Sequence, residues 1–314
     1  MTASPPPQVR RIGLGLAALG RPAYINLGRE GALPADRSVE SMRAASWRVL
    51  DDAHAAGVRW VDAARSYGRA EEFLAGWLAD RGHRDVTVSS KWGYAYVADW
   101  RTDADVHEVK EHSSARFGQQ WAETHALLGD QVSLYQVHSL TSDSPLFGDQ
   151  ALLADLAALR DSGVALGFST SGPAQADAVR RAAGIEVDGR RLFDAVQSTW
   201  NVLEPSVGPA LAEAHDAGLR VLVKEALANG RLAVRPPRRV VELADRHGVG
   251  PDAVALAAVL AQPWADVVLS GAAGGDQLRS NLAATGVGLS PGELDDLAEP
   301  AEPYWATRAA LDWN

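Results

Sequence analysis

Short apolar runs punctuate the chain at 12–17, 58–63, 86–91, 132–138, 164–170, 195–200, 219–224 and 267–271. Each is too short for a helix and rich enough in Val, Leu and aromatic residues for a strand. Most are followed by apolar residues at helical spacing. Over 38–56, Val39, Met42, Trp47, Val49, Leu50 and Ala53 form a broad apolar stripe, with Ser38 placed as its N-cap. Over 69–81, Phe73, Leu74, Trp77 and Leu78 share one side, as do Leu152, Leu153, Leu156 and Leu159 further on.

The joins repeat too. Gly57, Gly163 and Gly218 each stand between a helical stretch and a strand, where a left-handed residue ends a helix without a Cβ clash. Strand, helix, glycine, strand is the pattern of right-handed βαβ units and a parallel sheet. Eight such strands without a linker-like break predict one closed (β/α)8 TIM barrel over 1–314, with a doubly wound sheet as the alternative. Residues 1–8 are expected to be a flexible N-terminal segment, and 300–314 a C-terminal tail over the barrel mouth.

Composition narrows the function. The 314 residues are 46% hydrophobic and 22% charged, the balance of a soluble protein with a sizeable core. A net charge of −10 without a basic run argues against nucleic acid or an acidic membrane as partner. There is no cysteine, so disulfides, thiolate catalysis and Cys-ligated metals are excluded. The proline-rich first residues are no secretory signal, and no stretch approaches the roughly 18 apolar residues of a membrane helix. The expectation is a cytoplasmic enzyme, monomeric or a small homo-oligomer.

In a parallel barrel, chemistry gathers where the strands end. Here the second run ends in Asp62, the third in Lys91, the fourth in His138 and the seventh in Lys224. The chain has only three lysines, Lys91, Lys110 and Lys224, so two of the three terminate strands. Of eight histidines, only His138 closes a clearly apolar strand. An acid, a base and an imidazole at one rim are the material of acid–base catalysis.

These residues resemble the aldo-keto reductase family over nearly the whole chain. Asp62 followed five residues later by Tyr67-Gly68 is similar to its first signature, and Lys91 and His138 complete the catalytic tetrad in order and spacing. The resemblance implies that Tyr67 protonates a carbonyl oxygen while a nicotinamide cofactor gives hydride to the carbon. Lys91 would then lower the phenol pKa by roughly 1–3 units from about 10, and Asp62 would hold Lys91 in place. His138 would orient the carbonyl.

Gly167 to Thr170, Gln197 with Asn201, and Gln277 to Asn281 resemble the family's cofactor segments. By this resemblance Ser169, Thr170 and Gln197 contact the carboxamide, and Lys224 stands where many members place a ring or Arg on the nicotinamide. Ala226, Leu227, Asn229 and Gly230 would offer backbone to the pyrophosphate. Ser270, Gly271, Gln277 and Asn281 would meet the adenosine half. NADP(H) is the cofactor the family favours, with NAD(H) close behind, because 270–278 lacks the usual cations for a 2′-phosphate. No metal is implied.

Tyr24, Trp92, Tyr94, Trp200 and Trp305 lie in or beside rim loops and are candidates for an aromatic wall around a small carbonyl or sugar-type substrate. Two other readings share this barrel. One is a Schiff-base lyase or aldolase on Lys91 or Lys224. The other is a nicotinamide-binding, redox-sensing subunit without turnover.

Overall fold

The computed structural model describes residues 7–290 and 292–313. Eight parallel strands close into a barrel: β1 (Ile12–Gly15), β2 (Trp60–Asp62), β3 (Thr87–Trp92), β4 (Val132–Leu140), β5 (Ala165–Thr170), β6 (Ala195–Thr199), β7 (Arg220–Lys224) and β8 (Val267–Ser270). Each strand pairs with its sequence neighbours, and β1 closes the ring against β8 through Ile12 opposite Val268. The eight predicted runs are these strands: most ends are trimmed by one or two residues, while β3 runs one residue further and β4 two residues further than expected.

The helices between them are α1 (Val39–Ala55), α2 (Ala70–Arg81), α3 (Ser114–Leu128), α4 (Gln150–Asp161), α5 (Gln175–Ala183) and α6 (Gly208–Asp216), then α7 (Arg238–His247), α8 (Pro251–Leu260), α9 (Gly275–Leu282) and α10 (Ala301–Ala309). Ser38 caps α1 by accepting the Ser41 amide at 3.2 Å. Gly57, Gly163 and Gly218 take φ values of +98°, +103° and +87°, the left-handed turns that the helix–strand joins require.

Period-two alternation sorts the strand residues. Val61, Val88, Phe168, Val196 and Val268 face outward and pack beneath the helices in the main core. Trp60, Leu134, Ala195, Leu222, Val267 and Leu269 fill the barrel interior as a second, smaller cluster. Gly13 makes room there, because a Cβ would lie 2.8 Å from Leu269 and 3.3 Å from Trp60. One layer higher, the inward positions are Asp62, Lys91, Gln136 and Gln197. The alternation that builds the core therefore delivers the polar residues to the mouth.

Two features decorate the barrel. A hairpin of Tyr94–Tyr96 with Glu108–Lys110 rises from the end of β3. It had no counterpart among the predicted elements. At the opposite end, Arg11 donates to the Leu260, Gln262 and Ala265 carbonyls. Of the segment 1–8 expected to be flexible, 1–6 lie outside the described residues, and 7–8 begin the turn Pro7–Arg11. No helix among the described residues is long and apolar enough to cross a membrane.

Candidate active site

Asp62 and Lys91 pair inside the barrel, with side chains only 3% and 0% exposed. The other carboxylate oxygen accepts from Ser89 Oγ at 2.7 Å, Gln197 Nε2 at 3.2 Å and Gln136 Nε2 at 3.3 Å. Trp60 Nε1 donates to Ser89 Oγ, so the polar network stands directly on the apolar interior. Lys91 Nζ also donates to the Ala63 carbonyl at 3.0 Å and to the Tyr67 hydroxyl at 3.4 Å. A buried ammonium with three acceptors is the kind of ion pair that a closed site tolerates.

Tyr67 reaches Lys91 because of the turn that carries it. Gly68 has φ +59°, and a Cβ there would lie 2.6 Å from the Gly20 carbonyl. Gly20 in turn has no space for a side chain, since a Cβ would lie 2.4 Å from Ala70. The Tyr-Gly pair is thus pressed against the β1 loop, with the phenol turned into the barrel mouth. Burial first, then the Asp62 carboxylate, push this phenol well above its ordinary pKa, against a smaller opposite pull from Arg21. The expectation of a lowered phenol is not met. Asp62 sits against Lys91 and offsets the charge that was to do the lowering.

His138 sits on a bulge. The β4–β5 register shifts between Val137 and Leu140, and Ser139 takes φ +51°. Ser169 Oγ accepts the Ser139 amide at 2.8 Å and pins that bulge. The imidazole meets the Tyr67 ring edge-on at 5.5 Å and lies 5.0 Å from the Tyr94 ring. Burial, then Lys91 and Lys224, hold its pKa well below the ordinary value, so it is neutral at physiological pH.

These groups open into one elongated cavity of about 400 Å³ across the C-terminal face of the barrel. Asp62, Tyr67, His138 and Gln197 line one end, while Asp252, Ser270, Gln277 and Asn281 line the other. Between them, residues 25–28 of the β1 loop face the loop after β7. The two walls are laced together. Leu27 donates its amide to Asn229 O at 2.9 Å, and Asn229 Nδ2 donates to Ile25 O at 3.1 Å. Gln277 Nε2 donates to Gly28 O at 2.8 Å. The Ala226 and Leu227 amides, in the same wall, find no acceptor among the described residues. Unpaired backbone donors along a groove suit the bridging phosphates of a dinucleotide.

A sequence profile of the aldo/keto reductase family matches residues 11–302. The chain belongs to the aldo-keto reductase family. Membership brings oxidoreductase activity with a nicotinamide cofactor. The chain is 25% identical over 288 residues to the aldo-keto reductase str7 of Strobilurus tenacellus, covering 82% of this chain and 81% of that one. The PA4992 protein of Pseudomonas aeruginosa is 26% identical, with 87% and 88% of the chains covered and a TM-score of 0.61. At 22% identity the glycerol dehydrogenase AKR11B4 of Gluconobacter oxydans shares the fold, with a TM-score of 0.66 over 91% of this chain and 90% of that one.

Within this aldo-keto reductase, the expected cofactor residues divide. Gln197, Lys224, Ala226, Leu227, Asn229, Gly230, Ser270, Gly271, Gln277 and Asn281 all line the cavity. Thr170 does not. It faces outward, bonded to Ser198 Oγ at 2.6 Å, and Ser171 reaches the cavity instead. Ser169 is fully buried on the His138 bulge.

The aromatic wall divides as well. Tyr24 and Tyr94 line the cavity, whereas Trp92, Trp200 and Trp305 do not. Trp92 neighbours inward-facing Lys91 and so faces outward, against Phe117 at 5.1 Å. Trp200 packs on Trp264 at 5.7 Å. Trp305 belongs to the cluster of α7, α8 and α10, with its Nε1 directed at Glu204.

Five residues not singled out from sequence, Arg21, Glu108, Glu225, Arg308 and Trp313, complete the mouth. The Arg21 guanidinium pairs with Glu108 of the hairpin at 2.6 Å and lies 4.5, 5.0 and 4.9 Å from the Tyr24, Tyr67 and Trp313 rings. Trp313 stacks on His107 at 4.2 Å, and Arg308, Ala309 and Trp313 line the cavity. Arg308 forks onto Glu225 with its Nε 2.9 and 3.0 Å from the two oxygens. Lys224 Nζ donates to Thr199 Oγ1 at 2.7 Å and lies 3.6 Å from the same carboxylate. Burial lowers Lys224 to about 8, against the pull of Glu225 and with help from Arg308. Burial alone would raise Glu225, but Arg308 and then Lys224 outweigh it and hold it at about 2.

At the opposite end of the barrel, His54, His83 and Asp85 bring ligand atoms within 4.8 Å of one another. Asp85 is already paired with Arg59 at 2.7 Å. None of the three lines the cavity.

Proposed function

We propose that this chain reduces an aldehyde, ketone or sugar-type carbonyl, with Tyr67 as the group that gives and takes the proton at oxygen. The observation that carries the reading is the Tyr67 hydroxyl, in the cavity wall and 3.4 Å from an ammonium buried on Asp62. A nicotinamide cofactor would supply hydride to the carbonyl carbon. It would be held by Gln197 near the barrel axis and by the loop from Ala226 to Gly230.

The chain's own residues do the rest. The raised pKa of Tyr67 keeps the phenol loaded with its proton until a carbonyl accepts it. Once hydride reaches the carbon, the phenol O–H bond breaks and the proton passes to the carbonyl oxygen, leaving a tyrosinate beside Lys91. That developing charge is what the ammonium stabilises, so the pair acts on the transition state rather than on the resting phenol. Neutral His138 supplies a hydrogen bond that fixes the carbonyl against Tyr67. Trp313, Tyr24 and Tyr94 exclude water around it. In the reverse direction the same tyrosinate takes the proton of an alcohol.

The lysine-imine reading has one point in its favour, the lowered Lys224. Its amine, however, already donates to Thr199 and sits beside Glu225. The deciding experiment is Tyr67→Phe, assayed with a panel of aldehydes and by cofactor fluorescence. The variant should lose about 10² or more in kcat while binding cofactor within a few fold. Near-normal kcat would remove Tyr67 from the mechanism.

A further inference from the structure

The two ends of the cavity differ in charge. Three cations line it, Arg21, Lys224 and Arg308, and all three stand at the catalytic end. Each faces a carboxylate, Arg21 on Glu108 and the other two on Glu225. The far end has no cation among the described residues that line it. It has Asp252 instead, with Ser270, Gln277 and Asn281, none of which carries positive charge. Arg279, the nearest cation in sequence, is 79% exposed and turned onto Asp276 at 2.8 Å.

A dinucleotide has only one way to lie here. Its nicotinamide must reach Tyr67 and His138 for hydride and proton to meet at one carbonyl. The bridging phosphates then pass the unpaired amides of Ala226 and Leu227, and the adenosine half arrives at Asp252. There the carboxylate is set in place, since Ser280 Oγ donates to its Oδ1 at 2.9 Å. Oδ2 takes no hydrogen bond from any described residue and remains available as an acceptor.

We infer that Asp252 accepts hydroxyl hydrogens of the adenosine ribose and makes the chain select NAD(H) over NADP(H). A ribose 2′-hydroxyl is a donor and matches a carboxylate. A 2′-phosphate carries nearly two negative charges, has no donor to offer at neutral pH, and would meet Asp252 with no cation to neutralise it. This rests on the nicotinamide reading above and reverses the preference that family resemblance implied. Gln277 is not available to replace a cation, as its amide is occupied at both ends by Ala273 N and Gly28 O.

The test is a pair of Kd values, for NADH and NADPH, from fluorescence titration of the full chain. NADH should bind at least about tenfold tighter. Asp252→Asn keeps the size of the side chain and should bring the two within about threefold, chiefly by tightening NADPH. Competition on the wild-type protein gives an arm that needs no variant: 5′-AMP should displace NADH at lower concentration than 2′-AMP. Equal or tighter NADPH binding by the wild type would overturn the inference. So would an NADH preference that Asp252→Asn leaves unchanged. Binding of neither dinucleotide would remove the nicotinamide reading itself, and this inference with it.

Discussion

Replacing Lys91 by Met takes one partner from an ion pair that has almost no contact with water. The stranded Asp62 carboxylate keeps its bonds from Ser89, Gln136 and Gln197. Those three donors soften the loss, so the cost should fall at the low end of the buried-pair range, about 3 kcal/mol. At roughly 2 °C per kcal/mol for a domain of this size, Tm should drop by roughly 6 °C. Asp62→Asn should be harsher, roughly 4–5 kcal/mol, because it leaves a buried ammonium with only the Ala63 carbonyl and the Tyr67 hydroxyl. The double variant, Asp62→Asn with Lys91→Met, buries no charge and should recover at least about 2 kcal/mol relative to the sum of the singles. Urea unfolding at neutral pH measures all three, and all three should lack carbonyl reduction. If the double loss equals the sum of the singles to within about 0.5 kcal/mol, the two charges do not depend on each other and the reasoning is wrong.

Two further outcomes follow from the mouth of the barrel. Glu225, held at about 2, favours the folded state above its ordinary value of 4.5, and that contribution is lost as pH falls from 4.5 towards 2. It is worth roughly 3 kcal/mol, so Glu225→Gln should flatten the acid limb of a stability–pH profile and destabilise the chain at neutral pH by leaving Arg308 and Lys224 unpaired. An unchanged acid limb would refute the assignment. Trp313→Ala removes the ring stacked on His107 and should raise the carbonyl KM by about 3–10-fold with little change in kcat. An unaltered KM would place substrate elsewhere in the cavity.

Much of this architecture was legible because a barrel strand must serve two environments. The strands and their glycine joins follow from short apolar runs and from left-handed helix ends. Asp62, Lys91 and His138 were legible because a charged or imidazole side chain ending an apolar strand has few other places to be. The outward placement of Trp92 and Thr170 follows from strand alternation. Trp92 follows Lys91 and Thr170 follows Ser169, so each must face the opposite side of the sheet from its neighbour. Trp305 reads as a rim aromatic in sequence because its partners in α7 and α8 lie some 50 residues earlier. The Arg21–Glu108 pair and the ring of Trp313 join positions 87 residues and more apart, through loops whose course no local pattern dictates. Asp252 lies at the start of α8, where a carboxylate reads as ordinary helix chemistry until the fold turns it to the cavity.

The lacing of residues 25–28 to Asn229 and Gln277 bears on timing more than on affinity. On the binding mode proposed above, a dinucleotide between those walls would not leave sideways while the three bonds stand. At about 0.5–1.5 kcal/mol net apiece, the need to break them together would slow departure by roughly tenfold to a thousandfold or more. Substrates would then come and go through the Trp313 mouth many times faster than the dinucleotide exchanges. The oxidised form would linger after each hydride transfer, and the first turnover would outrun those that follow.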